Sequence, residues 1–486
     1  MYSGGRVVYK PILYKILFVL CAGLLVAGCV RVDREWCSGR AAKSRCDWSQ
    51  IYSSLPCIDH PLTLCEVIDI AVKNNLDLRV KQQEAALERE TVTHATWKML
   101  PKLEAEGHYS YRDKNTGTSS ESLDPTRPPA PPSISSEQTE RRASLVFTWN
   151  LLDFGLSYFE RMITARKALI KAIEYERAKQ NLVLDVQKQY WRVITSRRIM
   201  EHATEVRGMA MEWINSAKRA VDAKLIPQYR TLTDAAEVAK LNFDLESWRK
   251  DYVAAMHELL MAMGLPPETT LCLAPVELGV IDISHFNVCE LERVALLNRP
   301  ELFAFDTQEE IVTDEVRAAL IQMVPGVELF AGTFTDANRY LVYNNWNQVG
   351  IKALWDLFNL PEHYHTAKCM AFQKRELIRK NRLAICMGIF TQLHLAYGLY
   401  QENLMEYRDA IHSNEIHLAS LSAATSERNA GFLPQREWVM RATEQVISEA
   451  AMLRTYSELR GRLAQLDNSM GLPTYFSAQE HLSCCQ

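Results

Sequence analysis

The chain has 486 residues, of which 48% are hydrophobic and 23% are charged, and its formal net charge is −4 at pH 7. This composition is ordinary for a globular chain. The small negative charge gives no electrostatic reason to expect nucleic acid as a partner.

The N-terminus predicts a secretory leader over residues 1–28. Three basic residues precede an apolar run from residue 16 to 28, which is too short to span a bilayer comfortably. The run ends in Val26-Ala27-Gly28-Cys29, which resembles the bacterial lipobox, in which the cysteine is lipidated and becomes the mature N-terminus. The alternative is a plain leader in which Cys29 is incidental. Val30 and Arg31 follow in place of the aspartate that commonly retains lipoproteins in the inner membrane, so we expect a lipid-anchored protein in the outer membrane of a Gram-negative bacterium.

No other stretch reaches 18 uncharged apolar residues, so we expect any further membrane crossing to use strands. The segment 29–61 is rich in cysteine. Disulfides among Cys37, Cys46, Cys57 and Cys65 are possible in an exported protein, and their pairing stays open. The spacing of these cysteines fits no zinc motif, and we expect no metal site and no cofactor.

The chain contains two copies of one large unit, because a set of short motifs from its first half recurs in the same order in its second half. We therefore predict copy one over 62–265, a linker over 266–285, copy two over 286–472 and a tail over 473–486. The matching pairs are Leu64-Cys65-Glu66 with Val288-Cys289-Glu290, Leu100-Pro101 with Val324-Pro325, Trp149-Asn150-Leu151-Leu152-Asp153 with Trp355-Asp356-Leu357-Phe358-Asn359, Pro227-Gln228 with Pro434-Gln435, and Met263-Gly264-Leu265-Pro266 with Met470-Gly471-Leu472-Pro473.

Each copy is predicted to open with a helix that ends by Pro101 or Pro325. Thr63 and Asn287 both precede a glutamate by three residues, the pattern of a capping box. Cys65 and Cys289 occupy equivalent positions, and we expect both to be small buried residues.

A hairpin of two strands follows in each copy, over residues 102–150 and 326–356. Apolar and polar residues alternate in these segments, and four strands of about ten residues with one apolar face are typical of a transmembrane barrel wall. The first hairpin loop, residues 113–140, contains five prolines and six serines and is predicted to be solvated.

Two long segments without proline predict very long helices over 157–223 and 363–430, each about 100 Å at ~1.5 Å per residue. Returning helices are predicted over 228–264 and 435–470. Each copy therefore makes a tall helical hairpin.

The number of predicted strands per chain predicts an oligomer. Four strands cannot close a barrel, because the smallest bacterial barrels need about eight, and open edges in lipid are costly. The predicted fold is an α+β membrane protein, internally duplicated, with four transmembrane strands per chain that complete a 12-stranded barrel in a trimer, above a barrel of long helices.

The duplicated motifs, in their order and spacing over residues 62–473, resemble the TolC-like outer-membrane efflux proteins, and among these the lipidated members. The resemblance implies a homotrimeric exit duct for a tripartite efflux or secretion system. It also implies a periplasmic adaptor, an inner-membrane pump of the RND or ABC class, and outer-membrane lipid as partners.

In that family the turns between the long and returning helices contact the adaptor. The matching turns here are Lys224-Leu225-Ile226-Pro227 and Gly431-Phe432-Leu433-Pro434. Only the second keeps the glycine of the family pattern. The alternative for their apolar side chains is local packing within each hairpin.

The family often narrows its periplasmic mouth with acidic residues about six positions beyond the tip glycine. The matching positions here are Arg230 and Glu437. The hypothesis is that an Arg–Glu pair holds the mouth closed; the alternative is that Glu437 is a solvated helix charge.

We expect no catalytic residues, because the sequence lacks a nucleophile elbow, a phosphate-binding loop, a dinucleotide glycine motif and a metalloprotease motif. The competing function is a lipidated coiled-coil scaffold of the cell envelope that forms no duct. Within transport, cargo of small molecules, ions or polypeptides stays open.

Overall fold

The computed structural model describes residues 35–53, 60–119, 130–279, 287–355 and 360–472, together with residues 123, 126 and 128. The leader with Cys29 and the tail over 473–486 lie outside these residues. The chain divides into two compact units: Met1–Pro61 with Leu265–Cys272, and Leu62–Gly264 with Leu273–Gln486. The first contains helix α1 (Glu35–Ser53).

The second unit contains the two copies. In chain order its elements are α2 (Leu64–Asn74), α3 (Leu76–Trp97), β1 (Lys102–Tyr111), β2 (Gly117–Thr118), β3 (Ser133–Ile134), β4 (Thr139–Asn150), α4 (Leu151–Asp222), α5 (Gln228–Ala262), α6 (Val288–Asn298), α7 (Pro300–Ile321), β5 (Gly326–Asp336), β6 (Asn345–Leu354), α8 (Leu360–Asn429) and α9 (Gln435–Met470).

The opening helix of each copy is two helices rather than the single predicted one. In copy one Asn75 ends α2 and caps α3, because its Oδ1 accepts a hydrogen bond from the Leu78 amide at 2.9 Å. In copy two Pro300 is the first residue of α7, where the lack of an N–H is harmless. The predicted capping box is present at Thr63 and Glu66, whereas Asn287 caps the Cys289 amide instead.

The Trp-Asn-Leu-Leu-Asp motif of copy one is the point where strand becomes helix. Asn150 is the last residue of β4, and its side chain accepts hydrogen bonds from the amides of Leu152 and Asp153 at 3.0 and 3.3 Å. Helix α4 therefore starts at Leu151, earlier than the predicted start at 157, and no linker separates strand from helix.

The four long strands form one antiparallel sheet in the order β1-β4-β5-β6. Its register pairs Leu103 with Phe147, Phe147 with Ala331, and Ala331 with Val349, so these side chains share one face. We call this the apolar face. The other, called the polar face, carries the even-numbered residues of all four strands, including Glu104 and Glu106. Strands β1 and β6 are the two edges.

Helix α4 is the central helix of the second unit. Near the sheet it contacts α3 and α7, where Lys98 pairs with Glu160 and Arg166 pairs with Glu310. Farther from the sheet it packs between α5 and α9 through a buried apolar cluster, and α9 also packs against α8. The cluster contains Ile199, Ala203, Val206, Leu241, Leu245, Trp248, Ala442, Val446, Ala450 and Leu453.

The ends of the returning helices meet the breaks in the opening helices, and this contact explains two of the duplicated motifs. Gly264 has φ +66°, and a Cβ placed on it would lie 2.5 Å from the Asn74 carbonyl oxygen. Gly471 has φ +70°, and a Cβ there would lie 2.8 Å from the Asn298 carbonyl oxygen. Only glycine satisfies both the left-handed backbone and the close approach.

We call the contact between the end of a returning helix and the break in an opening helix a junction. The polar side chain at the junction differs between the copies. In copy one the Asn75 amide donates to the Ala262 carbonyl at 3.0 Å. In copy two Arg299 donates to the Asn468 carbonyl at 3.2 Å and to Gln392 at 2.9 Å. Burial lowers the pKa of the Arg299 guanidinium, and Arg177 beside it lowers that pKa further, while Glu301 opposes the shift.

The expected burial of Cys65 and Cys289 was wrong, and the structure adds detail to two other expectations. Cys65 and Cys289 are exposed, because both lie in the first turn of a helix, away from the buried residues of α2 and α6. The loop over 113–140 contains the short antiparallel pair β2–β3. Cys46 and Cys65 are free thiols, whereas the side chains of Cys37 and Cys57 lie outside the described residues.

Within the described chain, α8 contains one stretch that is long and apolar enough to cross a bilayer by length and composition, contrary to the expectation from sequence. Only 28% of that stretch is buried. Residues 383–401 of α8 contain no lysine, arginine, aspartate or glutamate.

The junction contact predicts a large effect for a small substitution. Gly264→Ala places a methyl group against the Asn74 backbone and strains a left-handed residue, so we expect a loss of about 2 kcal/mol or more in the free energy of unfolding. Thermal unfolding followed by circular dichroism measures it. The matched control is Gly208→Ala in α4, where no atom lies within 4 Å of the added Cβ. There we expect a gain of about 0.5 to 1 kcal/mol. Equal effects at both positions would contradict the junction.

Candidate functional site

The two turns between long and returning helices are built in the same way. After α4 the Leu225 amide donates to the Ala220 carbonyl at 2.8 Å, and after α8 the Phe432 amide donates to the Glu427 carbonyl at 2.9 Å. This helix-ending pattern requires a left-handed residue, which is Gly431 (φ +80°) in copy two and Lys224 (φ +59°) in copy one. The copy-one turn therefore holds a strained non-glycine residue.

Apolar side chains of the turns extend into solvent in the single chain. Leu225 is 77% exposed and Phe432 is 85% exposed, and Tyr229 in the first turn of α5 is 82% exposed. Leu433 is half-buried. The high exposure of Leu225 and Phe432 argues against local packing as the reason for their apolar character.

The predicted mouth residues lie in the first turns of the returning helices. Glu437 is in α9, and its carboxylate accepts a hydrogen bond from its sequence neighbour Arg436 at 2.7 Å. Arg230 is in α5, and its side chain lies outside the described residues. The predicted Arg230–Glu437 pair therefore stays a prediction.

A buried ion pair that sequence analysis missed joins the two copies beside the turns. Arg436 of α9 donates through Nε and Nη2 to both carboxylate oxygens of Asp234 in α5, at 2.6 to 3.0 Å. The Asp234 side chain is only 2% exposed and that of Arg436 is 28% exposed. The hydrogen bond that Arg436 donates to Asp234 raises the pKa of Arg436, and burial opposes this shift.

An apolar layer supports this ion pair. Ala210 and Ile214 of α4, Val238 of α5, and Val439 and Met440 of α9 form a buried cluster a turn away from Asp234 and Arg436. The ion pair therefore lies between the exposed turns and a closed apolar core, which fixes the ends of three helices relative to one another.

The copy-two turn has a second restraint. The Arg428 guanidinium lies 4.1 Å from the centre of the Trp438 ring, and the Trp438 indole N–H donates to Thr425 at 2.9 Å. The residues at the equivalent positions of Arg428 and Trp438 in copy one are Val221 and Thr231, which cannot form this contact. The copy-two turn therefore has a side-chain restraint that the copy-one turn lacks.

Among the described residues, no group of three or more histidine, cysteine, aspartate or glutamate side chains is arranged to hold a metal ion. His365 and Cys369 approach each other on α8, with Nδ1 and Sγ 3.7 Å apart. Two ligands on one exposed helix face do not make a metal site.

The fold is similar to solved outer-membrane channels. The OprN outer-membrane channel matches with a TM-score of 0.64 and 17% identity, over 88% of this chain and 92% of that one. The open state of the MtrE outer-membrane channel of Neisseria gonorrhoeae matches with a TM-score of 0.65 and 16% identity, over 84% of this chain and 89% of that one. The CmeC outer-membrane channel of Campylobacter jejuni matches with a TM-score of 0.64 and 12% identity, over 86% and 88%.

The chain shares the fold of these outer-membrane channels. The predicted α+β class, with a strand sheet continued by long helices, is confirmed. No protein-family model matches the sequence, and the search of curated protein sequences finds no match. Within this fold the exposed turns and the Asp234–Arg436 pair lie at the end of the helices opposite the sheet.

Removing the buried carboxylate tests the ion pair. Asp234→Ala leaves Arg436 partly buried without its partner, so we expect a loss of about 3 kcal/mol in the free energy of unfolding. Thermal unfolding measures it. The control is Glu437→Gln, which removes the more exposed partner of the same arginine and should cost less than about 1 kcal/mol. A loss of the same size in both variants would show that Asp234 has no special part.

Proposed function

We propose that the chain is the subunit of a homotrimeric exit duct in the outer membrane of a Gram-negative bacterium, serving a tripartite efflux or secretion system. The observation that carries the proposal is the four-stranded sheet with one apolar face and two unpaired edges, β1 and β6. In hydrocarbon each unpaired backbone group costs several kcal/mol, so the edges must pair with other copies.

The number of copies follows from the polar face. Two copies would give eight strands, whose interior is just wide enough to be filled by side chains. Three copies give twelve strands and leave an open lumen. The residues that line this lumen include Glu104, Glu106 and Lys352, which favours a water-filled interior.

The helices support the same ring. Helix α5 packs on α4, and α8 packs on α9 and α7, so within the described chain α5 and α8 are the outer helices of the row. Both carry exposed large apolar residues: Phe243, Val253 and Met261 on α5, and Leu395, Met405 and Ile416 on α8. We propose that α5 of one copy packs against α8 of the next.

Distance along the helices supports this pairing. Phe243 lies about four helical turns after the start of α5, and Ile416 lies about four helical turns before the end of α8. These two helix ends adjoin the exposed connections between the long and returning helices. At ~1.5 Å per residue the two levels differ by about 3 Å. Val253 matches Met405, and Met261 matches Leu395, even more closely. This arrangement also gives the apolar stretch of α8 a partner within the protein.

The proposal extends to the partners. The tips, Lys224 to Pro227 and Gly431 to Pro434, contact a periplasmic adaptor, and an inner-membrane pump of the RND or ABC class supplies the cargo. The exposed apolar side chains of the turns support this contact. Lipidation at Cys29 adds an anchor in the outer membrane. The chain has no catalytic role and needs no cofactor.

The mouth proposal keeps Arg230 and Glu437 as opposite charges that favour the closed state. Glu437 already accepts a hydrogen bond from Arg436, so Arg230 would share a carboxylate that is held in place. Charge reversal at Arg230 should raise the conductance of the closed state in planar bilayers; an unchanged conductance would remove Arg230 from the mouth.

The mass of the particle extracted from the outer membrane tests the duct. We expect about three times the chain mass of 55.6 kDa after correction for detergent. Phe243→Glu puts a charge into the proposed contact between copies and should yield monomers, whereas Phe243→Leu should keep the trimer. Joint Phe243→Cys and Ile416→Cys substitution should produce intermolecular crosslinks that neither single change gives. A monomeric or rod-like dimeric wild type would favour the coiled-coil scaffold instead.

Substitution at the tips tests adaptor contact separately. Phe432→Asp and Leu225→Asp change exposed side chains, so we expect an unchanged trimer and an unchanged unfolding temperature. Export in cells, measured as resistance to toxic compounds or as secreted protein, should fall at least tenfold. The control is Glu427→Gln, near the same turn. Full export by both Asp variants would exclude the tips from the contact.

A further inference from the structure

Three aromatic side chains interrupt the polar face of the sheet. Phe330 and Phe334 of β5 and Trp346 of β6 are all even-numbered, so they project on the same side as Glu104 and Glu106. The apolar face already supplies contact with lipid. Lipid therefore does not explain aromatic residues on the opposite face.

Two of these rings lie against the sheet because glycines make room for them. A Cβ at Gly350 would come 2.4 Å from Cζ of Phe330, and a Cβ at Gly332 would come 3.1 Å from Cε2 of Phe334. The rings therefore lie over bare backbone and do not stand upright in the lumen. Phe334 and Trp346 are stacked, with centroids 5.7 Å apart and an interplanar angle of 12°. We call Phe330, Phe334 and Trp346 the aromatic platform.

The platform is open to a ligand. Trp346 is 41% exposed and Phe334 is partly exposed in the single chain. Covering glycine backbone explains Phe330, which lies over Gly350, and Phe334, which lies over Gly332. It does not explain the exposed Trp346, which lies over no glycine. The stacked pair instead presents a flat apolar surface of two rings to the lumen.

The charges around the platform are predominantly acidic. On the polar face the strands carry five carboxylates and three basic side chains; the carboxylates are those of Glu104, Glu106, Glu140, Glu328 and Asp336, and the basic residues are Lys102, Arg142 and Lys352. Asp336 is paired with Arg142 at 3.0 Å, and Glu140 with Arg112 at 2.9 Å. Glu104 and Glu106 make no ion pair within the described part of the chain, so their charge is uncompensated.

Glu106 and the aromatic platform lie at the same level of the sheet. Phe334 is opposite Ser144, and Ser144 is opposite Glu106, which places Glu106 two strands from Phe334, roughly 10 Å at the usual strand spacing. Barrel closure pairs the edge strand β6 with β1 of the next copy. This pairing would bring the strand that carries Glu104 and Glu106 of the next copy beside the strand that carries Trp346.

We propose that the aromatic platform, with Glu104 and Glu106, is a binding site in the lumen for organic cations that carry aromatic or other apolar groups. A ring face attracts a cation and stacks on an aromatic group, and the nearby carboxylates add long-range attraction. The site rests on the proposed duct for its access, but its chemistry is present in the sheet itself. It gives the wall a preference that is independent of the pump.

Current block in planar bilayers tests the proposal with tetraphenylphosphonium as the probe. We expect this cation to reduce the open-channel current, and tetraphenylborate, which has the same shape and the opposite charge, to block at least tenfold more weakly. Phe334→Ala with Trp346→Ala should weaken the block by the cation about tenfold. Glu106→Gln should weaken it severalfold. Equal block in wild type and the double variant, or equal block by the two ions, would overturn the proposal.

The matched control is Ile351→Ala, which removes an apolar side chain of β6 on the opposite face and should leave the block unchanged. If the wild type carries no current, the duct fails, and the platform is then tested by equilibrium binding. Radiolabelled tetraphenylphosphonium should bind the wild-type protein in lipid nanodiscs about tenfold more tightly than the Phe334→Ala, Trp346→Ala variant. Equal binding would overturn the site whether or not the chain conducts.

Discussion

The structure depends on the unpaired backbone at the edges of its sheet. Strands β1 and β6 each have one neighbour in the four-stranded order, and a hydrocarbon environment offers no alternative partner for their N–H and C=O groups. In the proposed duct, closure with other copies satisfies these groups. Because Asn150 ends β4 and also caps α4, the symmetry that closes the sheet passes directly to the long helix, with no flexible segment to absorb a mismatch. In the proposed duct, closure of the sheet therefore also determines how the long helices of neighbouring copies are placed.

The long helix α4 needs packing partners along its whole length. Helix α4 has 72 residues, but its partners along that length are shorter helices: α2, α3 and α5 in copy one, and α7 and α9 in copy two. The returning helix must therefore end where the opening helix has its break, and Gly264 and Gly471 allow the two backbones to meet. The copies share the glycine but differ in the polar partner. Asn75 caps one helix and binds the end of another, whereas Arg299 binds the end of α9 and Gln392 of α8, and burial lowers the pKa of its guanidinium.

Sequence analysis predicted the motifs and elements that recur along the chain, and it missed the contacts between residues that are far apart in the sequence. Alternation in β1, β4 and β6 predicted strands, and the absence of proline predicted long helices. The glycines of the Met-Gly-Leu-Pro motifs were visible as a repeat, but their contact partners, Asn74 and Asn298, lie far away in the sequence. Asp234 and Arg436 were invisible for a related reason. A single charge on a long helix resembles any solvated charge until its partner, 202 residues away, is placed beside it. The helix breaks were missed although Asn75 and Pro300 are good helix starters, because helical periodicity continues through both.

The same ion pair determines what opening of the proposed mouth would require. The copy-two turn is held by Arg428 on Trp438 and by a glycine in the left-handed position, whereas the copy-one turn has neither and carries strain at Lys224. Copy one is therefore the less restrained partner, and Asp234–Arg436 is its main polar link to copy two near the turns. Separating α5 from α9 there must break a buried pair, at a cost of a few kcal/mol. A ligand can shift such an equilibrium only by binding the open state more tightly. A contact at the exposed turns, next to this pair, is where that differential binding would act most directly.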